Sequence, residues 1–240
     1  MCLILVAWQP NEAYQLVLAA NRDEFYQRPS QRAQYWKERS DILGGKDLLA
    51  GGTWLGITRN GRVAAVTNFR EDPPNPLPPR SRGELTADFL REDSTPTSYL
   101  LTVQAKRQEY RGFNLLVGDQ NQLAYYSNRQ NKLTALSPGT YGLSNQLLDC
   151  DWEKVIDGRR RLNEIVQQRL DIESLFQLLM QTGQHEHPWS AKFIHTLEYG
   201  TCASTVILVK RDGSVVFEER TFDTNGAVLP HDRYEFRITR

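Results

Sequence analysis

The apolar positions follow two rhythms along this chain, short strand-like runs and longer stretches at helical spacing. Residues 3–8 and 15–20 are brief runs rich in Leu, Ile, Val and Ala, split by Gln9-Pro10-Asn11-Glu12-Ala13-Tyr14. They predict a hairpin with a six-residue loop. If Trp8 and Gln15 close that loop, Cys2 stands opposite Asn21, with Arg22 and Asp23 alongside. Residues 25–40 mix aromatic and charged side chains around Pro29 and predict an irregular loop. The repeated glycines of Leu43-Gly44-Gly45-Lys46 and Gly51-Gly52-Thr53 signal close backbone approach or positive φ. Asn60-Gly61 between residues 53–59 and 62–68 predicts a second hairpin on a type I′ turn, with Asn68 opposite Thr53.

Five prolines within residues 72–79 require an extended connection. Ser81-Arg82-Gly83-Glu84 has capping-box spacing, and Thr95-Pro96 reads as a cap followed by proline at the first helical position, so two helices follow. Residues 113–118, 122–127, 133–136 and 141–144 predict an antiparallel meander. From Asp151 the period changes: Trp152, Val155, Ile156, Leu162, Ile165 and Val166 recur at helical spacing, and residues 172–180 give another apolar helix. Residues 185–189 read as a loop. The chain closes with strands over 204–210, 214–221 and 234–238. This order predicts an α+β fold, a four-layer αββα sandwich of two antiparallel sheets flanked by helices, as a single domain over residues 1–240.

Composition narrows the function classes. Lys+Arg and Asp+Glu are both 29, so no basic stripe is available for nucleic acid or an anionic membrane. No apolar run approaches the roughly 18–20 residues of a membrane span. No basic residue precedes the first strand and Asn11-Glu12 interrupt it early, against a secretory leader. The three cysteines, Cys2, Cys150 and Cys202, form neither a disulfide framework nor a zinc ribbon, which leads us to expect a cytoplasmic protein.

The candidate chemistry starts at Cys2. Initiator methionine is generally removed before a residue this small, leaving a β-amino thiol. With an α-amine near pKa 8 and a thiol near 8.5, the amine can take the thiol proton and the thiolate becomes the nucleophile. A free cysteine opening a buried strand is otherwise a packing residue; the neighbours tilt the reading. Arg22 would lower the thiol pKa and Asp23 would hold the amine. Asn68 and Asn145, each at a strand end, can supply amide donors for an oxyanion. All four histidines (His185, His187, His195, His231) lie in the last quarter of the chain, far from Cys2 in sequence. His185-Glu186-His187 lacks zinc-protease spacing, so no metal site is expected. Cys150 and Cys202 read as packing residues.

Met1-Cys2, Ala19-Ala20-Asn21-Arg22-Asp23-Glu24-Phe25, Arg28-Pro29, Gly51-Gly52-Thr53-Trp54-Leu55-Gly56, Thr67-Asn68, Arg82-Gly83-Glu84-Leu85, Gly112-Phe113-Asn114-Leu115 and Tyr141-Gly142-Leu143-Ser144-Asn145 together resemble the NRDE family, also called the transport and Golgi organisation protein 2 family. The resemblance covers nearly the whole chain. It implies an N-terminal nucleophile (Ntn) hydrolase-like fold, with Cys2, Arg22, Asp23, Asn68 and Asn145 at the positions of that superfamily's catalytic pattern. The late arginine of bile-salt hydrolases has no counterpart, because residues 201–205 offer only small polar side chains. The family's association with haem trafficking and with lipid and acyl-CoA homeostasis implies a pocket that need not hydrolyse anything. Two functions therefore stay open. One is an amidohydrolase acting on an amide or acyl bond of a small molecule, needing no cofactor, with Asn21, Tyr26, Trp36 and Trp54 as substrate-binding candidates. The other is a non-catalytic carrier of haem or an acyl lipid, using a cleft lined by Tyr26, Trp36 or Trp54.

Overall fold

The structure, a computed structural model, describes residues 2–71, 80–168, 170–183 and 190–239. In chain order its strands and helices are β1 (Cys2–Trp8), β2 (Tyr14–Phe25), β3 (Ser30–Trp36), β4 (Arg39–Asp47), β5 (Leu55–Thr58), β6 (Val63–Asn68), α1 (Arg82–Arg91), α2 (Pro96–Ala105), β7 (Phe113–Gly118), β8 (Leu123–Ser127), β9 (Lys132–Ala135), β10 (Gly139–Leu143), α3 (Glu153–Gln167), α4 (Ile172–Leu179), β11 (Tyr199–Lys210), β12 (Ser214–Thr221) and β13 (Asp232–Arg237). The expected α+β class is what the chain adopts, with two antiparallel sheets and four α-helices among the described residues. No described helix is long and apolar enough to cross a membrane.

The contacts divide the chain into two compact units. The first takes residues 1–27, 138–144 and 148–237, and the second takes 28–137, 145–147 and 238–240. In the first unit the sheet order is β10-β1-β2-β11-β12-β13. Leu3, Leu5, Ala7, Val17, Ala19, Val206 and Leu208 line one face of this sheet and pack with Val155, Leu162 and Val166 of α3 and Leu175, Phe176, Leu178 and Leu179 of α4. Ile4, Val6, Leu18 and Ile207, which alternate with these, are buried too. That explains why residues 3–8 read as an unbroken apolar run rather than an alternating one. α3 lies unusually close to the sheet: a Cβ on Gly158 would stand 2.8 Å from Leu5 Cδ2, and one on Gly142 would stand 2.8 Å from Val155 Cγ1.

In the second unit the order is β3-β4-β5-β6-β7-β8-β9, with α1 and α2 packed on a core that includes Phe89, Tyr99, Leu100, Phe113, Leu115 and Tyr126. Both helix starts are where the caps predict them. Ser81 Oγ accepts from Gly83 N at 3.3 Å, and Thr95 Oγ1 accepts from Ser98 N at 3.3 Å. Glu84 does not close the capping box; its carboxylate instead meets Arg80 and the Tyr110 hydroxyl.

Several expectations are corrected. Residues 25–40 are not a loop but contain β3 and the start of β4. β3 is an edge strand whose register with β4 shifts twice, so its apolar alternation is too weak to see in sequence. The first hairpin is displaced by one residue: Trp8 pairs with Leu16 and Cys2 with Arg22. Gln9, at φ 46°, turns the chain, its amide donating to Gln15 O at 2.8 Å. The second hairpin slips similarly, with Leu55 opposite Ala65. Gly61 N donates to Thr58 O, Thr58 N to Arg62 O, and Gly61 alone takes positive φ (84°), so the loop has three residues in place of the expected type I′ pair. β10 leaves the expected meander and pairs with β1; a period-two pattern marks a strand without naming its partner. Gly51 and Gly52 do take positive φ, and Gly44 is a point of close approach, 2.7 Å from its would-be Cβ to Leu55 O. The proline-rich stretch 72–79 and the 185–189 loop, with His185, His187 and their metal reading, lie outside the described residues, as does Met1.

Candidate functional site

The first unit gathers Cys2, Asn21, Arg22 and Asp23 at the far end of β1 and β2. The polar tetrapeptide Asn21 to Glu24 remains strand because β2 is flanked by β1 on one side and β11 on the other. Its side chains find partners as well. Thr201 Oγ1 donates to Asp23 Oδ1 at 2.7 Å and in turn accepts from Ile194 N at 3.0 Å. Tyr199 donates its hydroxyl to the Asp23 carbonyl at 2.9 Å. Ser204 donates to Asn21 Oδ1 at 2.5 Å, while Asn21 Nδ2 donates to the carbonyls of Leu179 (2.9 Å) and Lys192 (2.8 Å). Asn21 therefore ties the strand to the end of α4 and the chain beyond it, and its amide is committed there rather than open to a substrate. Ser144 donates to the Cys2 carbonyl at 2.7 Å and fixes the start of β1.

Register decides what faces the thiol. Directly paired residues of an antiparallel ladder share a sheet face, so Cys2 and Arg22 lie on one side and Asn21 and Asp23 on the other. A bulge in β11 makes this possible: Thr201 pairs with Asp23 and Ala203 with Arg22, leaving Cys202 as the extra residue. Cys202 bonds weakly to the Gly200 and Glu24 carbonyls.

Burial dominates the electrostatics. It pushes the Cys2 thiol above its ordinary value, and Arg22, which was expected to lower it, is the smaller influence. Burial also pushes the Asp23 carboxyl up to about 6, against the positive charge of the chain's amino terminus, the Thr201 hydrogen bond and, after these, the charge of Lys154, which all act to lower it. Lys154 in turn is lowered by its own burial, opposed by Asp23 and Cys2. The arrangement can keep a neutral thiol, a carboxyl that titrates close to neutrality and a buried ammonium together, the state from which a nearby amine could take the thiol proton.

The remaining sequence candidates occupy different surroundings. Tyr26 is partly exposed, its hydroxyl lying 2.2 Å from where a Gly200 Cβ would be. In the second unit Asn145 is buried and donates from Nδ2 to the Asn68 carbonyl at 2.7 Å, and the Asn68 side chain, at the end of β6, is exposed. These two expected oxyanion donors are thus linked to each other. Trp54 is partly exposed over Gly45. Trp36 is a correction: it is 2% exposed in the helix-packed core of the second unit, with Nε1 donating to Gly44 O at 3.0 Å, and so lines no open cleft. Cys150 is partly buried beside α3. Among the described residues no cluster of three or more His, Cys, Asp or Glu side chains could hold a metal ion.

Sequence reading missed three residues of this constellation. Thr201 passed as one of several small polar residues, although threonine alternating with apolar positions beside a buried carboxylate is its natural donor. Ser144 was visible in the Tyr141 to Asn145 motif without an assigned role. Lys154 carried the clearest signal: it stands four residues before Gly158 and eight before Leu162, on the buried face of an amphipathic helix.

Comparison with known proteins bears on the fold and the family. Two solved structures of conjugated bile acid hydrolase from Clostridium perfringens, a mutant and a variant, superpose with TM-scores of 0.55 and 0.53 at 9% and 10% identity. They cover 99% of this chain and 92% and 98% of theirs, a likeness of fold that identifies the Ntn hydrolase architecture. The human Transport and Golgi organization protein 2 homolog is 38% identical, with 99% of each chain covered, and the Drosophila melanogaster protein of that name is 28% identical over 92% of each. The family model described as Transport and Golgi organisation 2 matches residues 1–224. The chain belongs to the Transport and Golgi organisation 2 family.

Proposed function

We propose that this protein is an N-terminal-cysteine hydrolase acting on an amide or related acyl bond of a small molecule. The observation that carries the reading is the pairing of Cys2 with Arg22 at the start of β1, next to a buried Asp23 held by Thr201. After removal of Met1, the α-amine of Cys2 takes the thiol proton and the thiolate attacks the acyl carbon. The carbonyl π pair moves to oxygen, giving an oxyanion of the kind that amide N–H donors stabilise. Collapse expels the amine, which takes its proton from the α-ammonium, and leaves a thioester on Cys2. Water, giving a proton to the same α-amine, then attacks the thioester; the acid leaves and the thiol is restored. Asp23 and Arg22 orient the amine and the substrate. Support comes from the cysteine at position 2, its paired arginine and the Ntn hydrolase fold.

The test is the intact mass of purified protein before and after a thiol-reactive acylating probe, in wild type and Cys2→Ala. Loss of Met1 together with one adduct that is absent in Cys2→Ala is the expected result. Retained Met1 without selective labelling sinks the hydrolase reading.

One observation favours a second reading, a non-catalytic carrier of haem or an amphipathic acyl compound in which the partly exposed Tyr26 contacts the ligand. Burial pushes the Cys2 thiol up, which favours its protonated, less reactive form. A haem titration followed by absorbance distinguishes the two: saturable binding that survives Cys2→Ala, with no labelling of wild type, would replace the enzyme by a carrier.

A further inference from the structure

Lys154 is 1% exposed, and its Nζ has no hydrogen-bond partner among the described residues. It sits in the first turn of α3, where the helix macrodipole disfavours a cation. The ring of Trp152 lies 5.5 Å from Nζ to centroid, a cation–π contact. A methionine of similar length would fill this position without the desolvation cost of a buried ammonium, so packing alone does not explain a lysine. The face of α3 that carries Lys154 is pressed onto β1 and β10 through Gly158 and Gly142. The charges that act on it are Asp23 from β2, Cys2 from β1 and Cys150 from the segment leading into α3, in that order. Around this group, the chain's amino terminus and Arg22 act on Cys2, the amino terminus and Glu24 act on Asp23 beside Lys154, and Cys202 of β11 answers to Arg22 and Asp23.

We propose that Lys154 is a positioning residue of the cysteine site: from the first turn of α3 its buried ammonium favours the anionic form of Asp23, the neighbour in β2 of the Arg22 that pairs with Cys2. The inference deepens the N-terminal nucleophile reading and rests on it for its catalytic meaning. Lys154 supplies, from α3, a basic side chain of a kind that residues 201–205 do not. With Lys154 charged, Asp23 is anionic at neutral pH and able to hold the α-ammonium formed when the thiol gives up its proton. Without it, a larger share of Asp23 is protonated at neutral pH and its hold on the amine weakens.

The experiment compares wild type with Lys154→Met and Lys154→Arg in two titrations. The first follows the Asp23 midpoint, read as the pH at which the thermal stability of each protein diverges from that of its Asp23→Asn counterpart. Lys154→Met is expected to raise this midpoint by about one pH unit, a tenfold shift in the proton equilibrium, and Lys154→Arg to return it toward wild type. An unchanged midpoint in folded Lys154→Met overturns the proposal. Should that variant not fold, the side-chain resonance of Lys154 in wild type, assigned by its loss in Lys154→Arg, decides the matter. It should step at the Asp23 midpoint and lose the step in Asp23→Asn; a resonance indifferent between pH 4 and 8 overturns the proposal equally. The second titration follows iodoacetamide modification of Cys2 by peptide mapping, and its rate at neutral pH should fall in Lys154→Met. Cys2 that stays unmodified in wild type at every pH would remove the nucleophile reading, and the first titration would still decide whether Lys154 governs Asp23.

Discussion

Asp23→Asn tests how burial shapes this site. The carboxyl is 3% exposed and titrates at about 6 in the folded protein, against a reference value of 3.8. A carboxyl whose folded pKa is raised binds its proton more tightly in the native state than in the unfolded chain. Its contribution to stability is therefore fully present below pH 3.8 and is lost as pH rises through 6. The difference of about two pH units corresponds to about 3 kcal/mol of stability forgone at neutral pH, at 1.36 kcal/mol per unit. Asparagine keeps Oδ1 as acceptor for the Thr201 hydroxyl while removing the buried charge. Thermal unfolding of wild type and Asp23→Asn from pH 4 to pH 8 should show similar stability at the acid end. Above pH 6.5 the variant should be ahead by about 3 kcal/mol, which for a chain this long is about 6–12 °C in Tm. Taking the difference between the proteins cancels the titrating groups on which Asp23 does not act. A gap that stays constant between pH 4 and pH 8 would refute the assignment of this titration to Asp23, and a less stable Asp23→Asn at pH 7.5 would show that Lys154 and Thr201 more than offset the burial.

Gly200→Ala would set a methyl carbon 2.2 Å from the Tyr26 hydroxyl oxygen and 2.6 Å from Ile194 O. It should destabilise the protein by about 1–3 kcal/mol, and pairing it with Tyr26→Ala should relieve only the part due to the ring; an unchanged Tm would contradict this packing. Lys192→Met removes the ammonium that meets Asp157 Oδ2 at 2.5 Å and Gln181 Oε1 at 2.9 Å. Burial alone would raise Asp157, yet hydrogen bonds from Lys192, Arg161 and Arg160 hold it well below the usual carboxylate range. The stability it brings is present above the unfolded carboxylate pKa and is lost as pH falls through the folded one. The variant should thus cost about 1.5–3 kcal/mol at pH 7 and progressively less in acid, as chemical denaturation at pH 7 and pH 3 would show; an equal cost at both would point to lost packing instead.

Much of this protein was legible in the amino-acid sequence, and the reason is local. Periodicity and caps depend on residues within a turn or two of each other, so Ser81 and Thr95 marked their helices, the change of period at Asp151 marked α3 and α4, and the Asp212-Gly213 turn separated the last long strands. The α+β order and the cluster of Cys2, Arg22 and Asp23 followed from the same local signals. Tertiary structure alone decided the rest. The pairing of Cys2 with Arg22 rather than Asn21 depends on one residue, Gln9, in a left-handed conformation, and a shift of one residue exchanges the faces of a strand. β3 drew its stability from pairing with β4, and β10 found its partner in β1 across more than a hundred residues of chain. Trp36 looked like a wall for a ligand because aromatic side chains serve both in cores and at sites, and only packing distinguishes the two. The electrostatics of the site were likewise beyond the sequence. Whether Arg22 lowers the Cys2 thiol, or burial raises it, is a contest between charge and desolvation, and Lys154 enters that contest from a helix 150 residues away in the chain because Gly142 and Gly158 let α3 settle onto the sheet.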